Sequence, residues 1–248
     1  MVYAVNPLAS VLAFITYGTL HLKDAKSSSH VDGFMTALAP IICLEGPSAV
    51  GKSTVARRLA DGHGYLVIPE VNELFQNEKR SGDDWYLRRQ IDRYAQATSA
   101  AASGQPVVLD GDPFQPLWYN WIYPEYGPLP HVIAFYRDAI DAGTIAFPGM
   151  YAVLQASNEC LTIRRAGDAA RRRRNFDRHL QMIAPQRRYF EQLGASGFTK
   201  VEVIENVDAE DVALKIVEAA RSATAVSESA QLLTIASNWL SKNHPHQG

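Results

Sequence analysis

The sequence predicts an α/β fold of three layers, a five-stranded parallel sheet flanked by helices and completed by a helical lid. Three observations lead there. Short β-branched runs recur between longer helical patterns, a glycine-rich loop joins the first run to the first helix, and an arginine-rich segment follows the fourth run.

The strand candidates are residues 41–45, 65–69, 106–110, 150–155 and 201–205, each four to six residues long and bounded by turn formers. Residues 51–63 read as a helix closed by Gly62 or Gly64. Asp83 or Asp84 is placed to cap a long helix that ends near Gly104. The segment 113–130 carries Trp118, Tyr119, Trp121, Tyr123 and Tyr126 among several prolines, and is expected to be an ordered but irregular insertion. Residues 175–193 form a helical pattern that Pro185 should break or kink. A good helical period spans 208–223, and an amphipathic stretch at 232–240 sits in the tail. The organisation that follows is an extension and linker at 1–38, a catalytic domain at 39–224 with a lid at about 164–175, and a C-terminal helix and tail at 225–248.

Composition bounds the function. The 248 residues are 47% hydrophobic and 20% charged, with a formal net charge of -2, so a polyanion such as nucleic acid is not expected as the main partner. Cys43 and Cys160 lie in a strand and in the helix after a strand, which argues against a disulfide framework or a metal site and for a reducing cytoplasm. The apolar stretch 8–20 has no Lys or Arg before it, is interrupted by Thr16, Tyr17 and Gly18, and is too short to span a bilayer. It reads as a segment packed on the domain, and no membrane association is expected. A homodimer is left open.

Residues 46–54, Gly-Pro-Ser-Ala-Val-Gly-Lys-Ser-Thr, fit GxxxxGK[ST] between a predicted strand and a predicted helix, the context that a phosphate-binding loop requires. That places the chain in the P-loop NTPase fold. Backbone N–H groups of Gly46, Ser48, Ala49, Val50, Gly51 and Thr54 are expected to wrap the phosphates of ATP, aided by the positive end of the helix. Lys52 supplies a mobile charge to the β and γ oxygens, and Ser53 a hydroxyl for Mg2+. The run at 106–110 ends in Asp110, at the edge of the sheet where ligands of such folds bind, and Asp110 is the expected outer partner of Mg2+. Asp112, two residues on, can face the same cleft and hold metal or acceptor.

Two features favour a kinase over other users of this loop. Glu70 follows the second strand, where a carboxylate can take a proton from an acceptor hydroxyl. Arg164, Arg165, Arg171 and Arg173 belong to a basic segment after the fourth strand that can close over a triphosphate and exclude water.

Ile68-Pro69-Glu70, Gln90, the strand ending at Asp110, the segment 153–161 and the arginines after it resemble the deoxynucleoside kinase and thymidylate kinase group, from about residue 41 to 220. The resemblance implies Glu70 as general base, Gln90 as a contact to the base of a nucleoside, and lid arginines on the phosphates. It also implies that Asn206 and Asp208 lie near the adenine. The chain departs from the group after the third strand, where Asp110-Gly111-Asp112 stands in place of Glu-Arg-Ser. That change, with the aromatic segment that follows, suggests an acceptor pocket rebuilt for another hydroxylated molecule. Arg93 offers a substitute for the lost arginine, and Trp118 a ring on which a planar acceptor can stack. The expected activity is transfer of the γ-phosphate of ATP to a hydroxyl of a small molecule. A nucleoside monophosphate kinase, an antibiotic or secondary-metabolite phosphotransferase and a nucleotide-dependent regulatory protein are the alternatives.

Overall fold

In a computed structural model, residues 39–167 and 176–245 are described. The five strands are β1 Ile41–Glu45, β2 Leu66–Ile68, β3 Val107–Asp110, β4 Met150–Gln155 and β5 Lys200–Glu205. All pair in parallel in the order β2-β3-β1-β4-β5, which puts β1, and the loop that leaves it, at the centre. Alternation of side chains builds two cores. Ile42, Leu44, Val108, Met150, Ala152 and Leu154 face α1 (Lys52–His63) and α9 (Ala209–Ala220). Cys43, Val107, Leu109, Tyr151 and Val153 face the other helical layer.

That second layer contains α3 (Trp85–Ala102), α4 (Gln115–Ile122), α5 (Leu129–Asp141), α8 (Ile183–Ala195) and α10 (Ser229–Lys242). The short α2 (Val71–Leu74) follows β2, while α6 (Asn158–Gly167) and α7 (Phe176–Gln181) flank residues 168–175. Residues 1–38, the lid positions Arg171 and Arg173, and residues 246–248 lie outside the described residues. No helix of the described residues is long and apolar enough to cross a membrane.

Local rules explain most boundaries. Helix α1 ends on Gly64 in the left-handed region, whose N–H returns to the carbonyl of Ala60 while that of Tyr65 returns to Leu59. Asp208 caps α9 by accepting from the N–H groups of Glu210 and Asp211. Helix α7 stops at Gln181 and α8 restarts at Ile183, because Pro185 has no N–H to give to the carbonyl of Gln181.

Two expectations need correction. The segment 113–130 is not irregular: it holds α4, a 3-10 turn Pro124–Tyr126 and the start of α5. Pro116 and Pro130 sit in first turns, where a missing N–H costs nothing, and Leu117, Trp118, Trp121 and Ile122 bury an apolar face at helical spacing. Asp84 does stand at the N-cap position of α3, but its side chain makes no capping bond there. It accepts instead from His131 Nε2 at 2.6 Å, tying α3 to α5. In the tail, Leu232, Leu233, Ala236 and Leu240 of α10 are buried in the same core as α5 and α8, and Trp121 Nε1 donates to the carbonyl of Asn243.

Candidate functional site

The carboxyl ends of β1, β2 and β3 open into a cleft of about 1710 Å3. Its floor is the loop between β1 and α1. Gly46, at φ 136°, has no room for a side chain: a Cβ there would lie 2.4 Å from the carbonyl oxygen of Leu154. Gly51 is also left-handed, and Ala49, at φ 70°, is the one described non-glycine residue with positive φ. These turns curl the loop into a concave shape at the start of α1 that suits phosphate oxygens, although three N–H groups expected to wrap them are used within the protein, Gly46 to Glu45, Val50 to the carbonyl of Pro47 and Thr54 to that of Gly51.

The loop is held from beneath and from the side. The carbonyl of Val50 accepts from Arg164 Nη1 at 2.9 Å and from the Asn206 side-chain amide. Arg164 Nη2 also donates to the carbonyl of Asn206, whose own N–H reaches Gln155. Arg164 therefore leaves α6 to brace the loop, and Arg164, Asn206 and Asp208 line one end of the cleft together with Arg57. Arg165 lies elsewhere, over the ring of Phe176 and 3.4 Å from Asp177.

Lys52 Nζ donates to the carbonyl of Gly46 at 3.0 Å and lies 3.9 Å from Glu70 Oε1. Burial disfavours its charge, but the carboxylates of Glu70, Glu45 and Asp110 outweigh that and lift its pKa above the ordinary lysine value. Ser53 Oγ donates to Asp110 Oδ2 at 2.9 Å, and the other oxygen, Oδ1, is buried with no hydrogen-bond partner among the described residues. An orphaned carboxylate oxygen beside a serine hydroxyl fits a hard divalent cation such as Mg2+. Among the described residues no cluster of three or more His, Cys, Asp or Glu could hold a metal ion.

Glu70 is 51% exposed by side chain and projects from the first turn of α2 into the cleft. A Cβ at Gly111 would only touch Glu70 Cγ at 3.4 Å, an ordinary contact, so it is the φ of 92° and not space that calls for glycine there. The far wall is formed by Arg80, Tyr86, Leu87, Gln115, Trp118, Tyr119, Tyr126 and His131. Trp118 lines the cleft while fully buried, and Tyr86 donates to Gln115 at 2.7 Å.

Like Arg165 and the buried Val50, three further residues singled out in the sequence do not line the cleft. Asp112 is fully buried: Oδ1 accepts from Phe114 N–H and the Tyr151 hydroxyl, and Oδ2 from Trp118 Nε1. Burial pushes its pKa up to about 6 in spite of those donors. Gln90 and Arg93 are each 1% exposed and bond to one another under the floor of the cleft.

One residue was missed. Glu45 ends β1 and is 3% exposed, yet its carboxylate receives three hydrogen bonds, from the N–H groups of Gly46 and Asp112 and from the Gln186 side chain on α8. Burial raises its pKa to about 7, against the pull of Lys52. The signal was in the sequence: an acid ending an otherwise apolar strand has to be satisfied from outside the sheet.

A parallel sheet with β1 central, and a nest of N–H groups next to a serine–carboxylate pair, defines a P-loop NTPase domain. A family model described as AAA domain matches residues 41–183, more than half of the chain, and the chain belongs to that family. Over 76 residues it is also 30% identical to the cytidylate kinase of Neisseria gonorrhoeae (strain ATCC 700825 / FA 1090), a match that covers 29% of this chain and 34% of that protein. The chain thus spans about a third of that curated relative.

Proposed function

We propose that this P-loop domain is a kinase that transfers the γ-phosphoryl group of ATP to a hydroxyl of a small molecule, a nucleoside or nucleoside-like metabolite. The observation that carries the reading is the half-exposed carboxylate of Glu70, 3.9 Å from Lys52 Nζ, on the cleft shared with Ser53 and Asp110. Glu70 lines the same cleft as Tyr86, Trp118 and Tyr119, a wall suited to an organic acceptor, whereas a base that served hydrolysis alone would need room only for a water.

In this reading Glu70 Oε1 takes the proton of the acceptor hydroxyl as the new O–P bond forms and the bond between Pγ and the bridging oxygen breaks. Lys52 neutralises charge on the phosphate oxygens. Ser53 and Asp110 hold Mg2+, which when bound draws charge from the phosphates. Arg164 keeps the loop in shape through Val50, and Tyr86, Gln115 and Trp118 support the acceptor side. Asp112, being spent on three donors, is left out of the reacting groups, so the base is assigned to Glu70.

The similarity to a cytidylate kinase supports a nucleotide-related acceptor, and a phosphate acceptor is the second reading. The two part on Glu70, because a phosphate needs no base. The test is phosphoryl transfer from γ-labelled ATP with Mg2+ to nucleosides, nucleoside monophosphates and hydroxylated antibiotics, with Lys52→Ala as the blank. Labelled product from an alcohol, reduced about 10²- to 10⁴-fold in Glu70→Gln with ATP binding retained, is expected. Product from CMP alone, insensitive to Glu70→Gln, would transfer the assignment to a monophosphate kinase, and no product from any acceptor would remove the kinase reading.

A further inference from the structure

Arg93 is a buried cation whose hydrogen bonds to described residues all go to neutral oxygens. From α3 its Nε donates to the carbonyl of Pro69 at 2.7 Å, Nη2 to those of Asp110 at 2.9 Å and Gly111 at 3.1 Å, and Nη1 to Gln90 Oε1 at 2.5 Å. A buried guanidinium is costly unless its donors are met, and here three of the four acceptors belong to two particular turns.

Those turns are the ones that carry the reacting groups. The ladder between β2 and β3 runs through Leu66 and Val107, Val67 and Val108, and Ile68 and Leu109, and then ends. The next residue, Pro69, has no N–H with which to continue it. Beyond that point the two chains separate, one into the turn of Glu70 and the other into the turn of Asp110 and Gly111. The guanidinium takes over where the ladder stops, linking the carbonyl before Glu70 to the carbonyl of Asp110 itself. The planar fork matters, since a lysine offers one centre where three nitrogens are used.

We infer that Arg93 is a positioning residue, the clamp that sets the separation between the Glu70 carboxylate and the Ser53–Asp110 pair, with Gln90 orienting the clamp. The inference rests on the proposed function for the role of Glu70, but not for that of Asp110. Arg93 is buried and does not line the cleft. It acts through the backbone of the residues that do, so its loss should disturb metal-assisted steps before it disturbs binding of the nucleotide body, which rests on β1 and α1.

The experiment measures ATP affinity by calorimetry without acceptor, once with Mg2+ and once with EDTA, in the wild type, Arg93→Gln, Arg93→Lys and Gln90→Leu. The gain in affinity conferred by Mg2+ is expected to fall about tenfold or more in Arg93→Gln, the range seen when the group that orients a metal ligand is removed. Affinity in EDTA should stay within about twofold of the wild type. Arg93→Lys should restore only part of the gain, and Gln90→Leu, which leaves the guanidinium in place, should lose about three- to fivefold. Where an acceptor is known, kcat should fall about 10²-fold with KM for ATP little changed.

A merely structural role would lower thermal stability and weaken ATP equally with and without Mg2+, and that result would overturn the clamp. An undiminished Mg2+ gain in Gln90→Leu would do the same even if neither Arg93 variant folds. Because the calorimetric arm needs no acceptor, it decides the clamp independently of whether the chain proves to be a kinase.

Discussion

Ser53 and Asp110 are joined by one 2.9 Å hydrogen bond from the hydroxyl to Oδ2, while Asp110 Oδ1 is buried and accepts none from the described residues. Fifty-seven residues separate the pair along the chain, and the parallel pairing of β1 with β3 brings them together. An oxygen left in that condition is an unmet demand for a positive charge.

Replacing Asp110 by Asn keeps the shape and removes that demand. Asp110→Asn should bind ATP as the wild type does in EDTA, and lose about 10- to 100-fold of the affinity or turnover that depends on Mg2+. Titration of ATP with and without Mg2+ measures this directly. An unchanged Mg2+ effect would take Asp110 out of the metal site.

Gly46 tests the loop as a backbone object. A methyl group there would press on the backbone oxygen of Leu154 at 2.4 Å, and φ 136° is closed to other residues in any case. Gly46→Ala should cost about 2 kcal/mol or more of folding stability, read from the urea midpoint, and abolish ATP binding. At Gly51 a methyl group would meet the Asn206 amide at 2.8 Å, a side chain and not backbone, but moving it breaks its bond to Val50, and φ 101° is itself strained for other residues. Gly51→Ala should therefore cost less stability than Gly46→Ala while still weakening ATP.

Glu45 predicts a pH dependence with a definite sign. Its folded pKa is raised, from 4.5 to about 7, so between those values the folded state holds a proton that the unfolded state has released. This contribution to stability is complete below pH 4.5 and is lost as pH rises through about 7, amounting to about 3 kcal/mol at most. Urea midpoints from pH 5 to 8 should fall more steeply in the wild type than in Glu45→Gln, with the difference levelling off above pH 8. Parallel curves would mean that Glu45 is ionised throughout.

Asp112 and Glu70 should separate cleanly when each is made an amide. Asp112→Asn places an N–H among the donors Phe114, Tyr151 and Trp118, and should destabilise the fold by about 2 to 4 kcal/mol. Glu70→Gln, at an exposed position, should change stability by less than about 0.5 kcal/mol while removing turnover. Thermal melts of the two variants give the answer, and equal destabilisation would contradict the division of roles.

The two aspartates also show where a local reading stops. Positions 110 and 112 share a face in a regular strand, and on that rule both belong in the cleft. Gly111 takes φ 92°, the alternation breaks, and Asp112 turns into the core while Asp110 keeps its place beside Ser53. The prolines of 113–130 misled for a similar reason: a proline breaks a helix interior but suits a first turn, and the distinction depends on where the helix begins.

What the sequence by itself determined is the five strands and their parallel class, the phosphate loop with its Lys52 and Ser53, and a helix end at Gly62 or Gly64, of which the fold uses Gly64. Each of these is written in adjacent residues, through side-chain period, contiguity of the motif, or a residue type suited to one backbone conformation. Only the tertiary structure decided that Glu45 joins the loop to α8, that Arg93 and Gln90 lie beneath the site, and that Arg164 and Asn206 meet at Val50. Those contacts bring together buried polar groups from different strands and helices. Which partner satisfies each group follows from how the layers pack, and no local pattern carries that information.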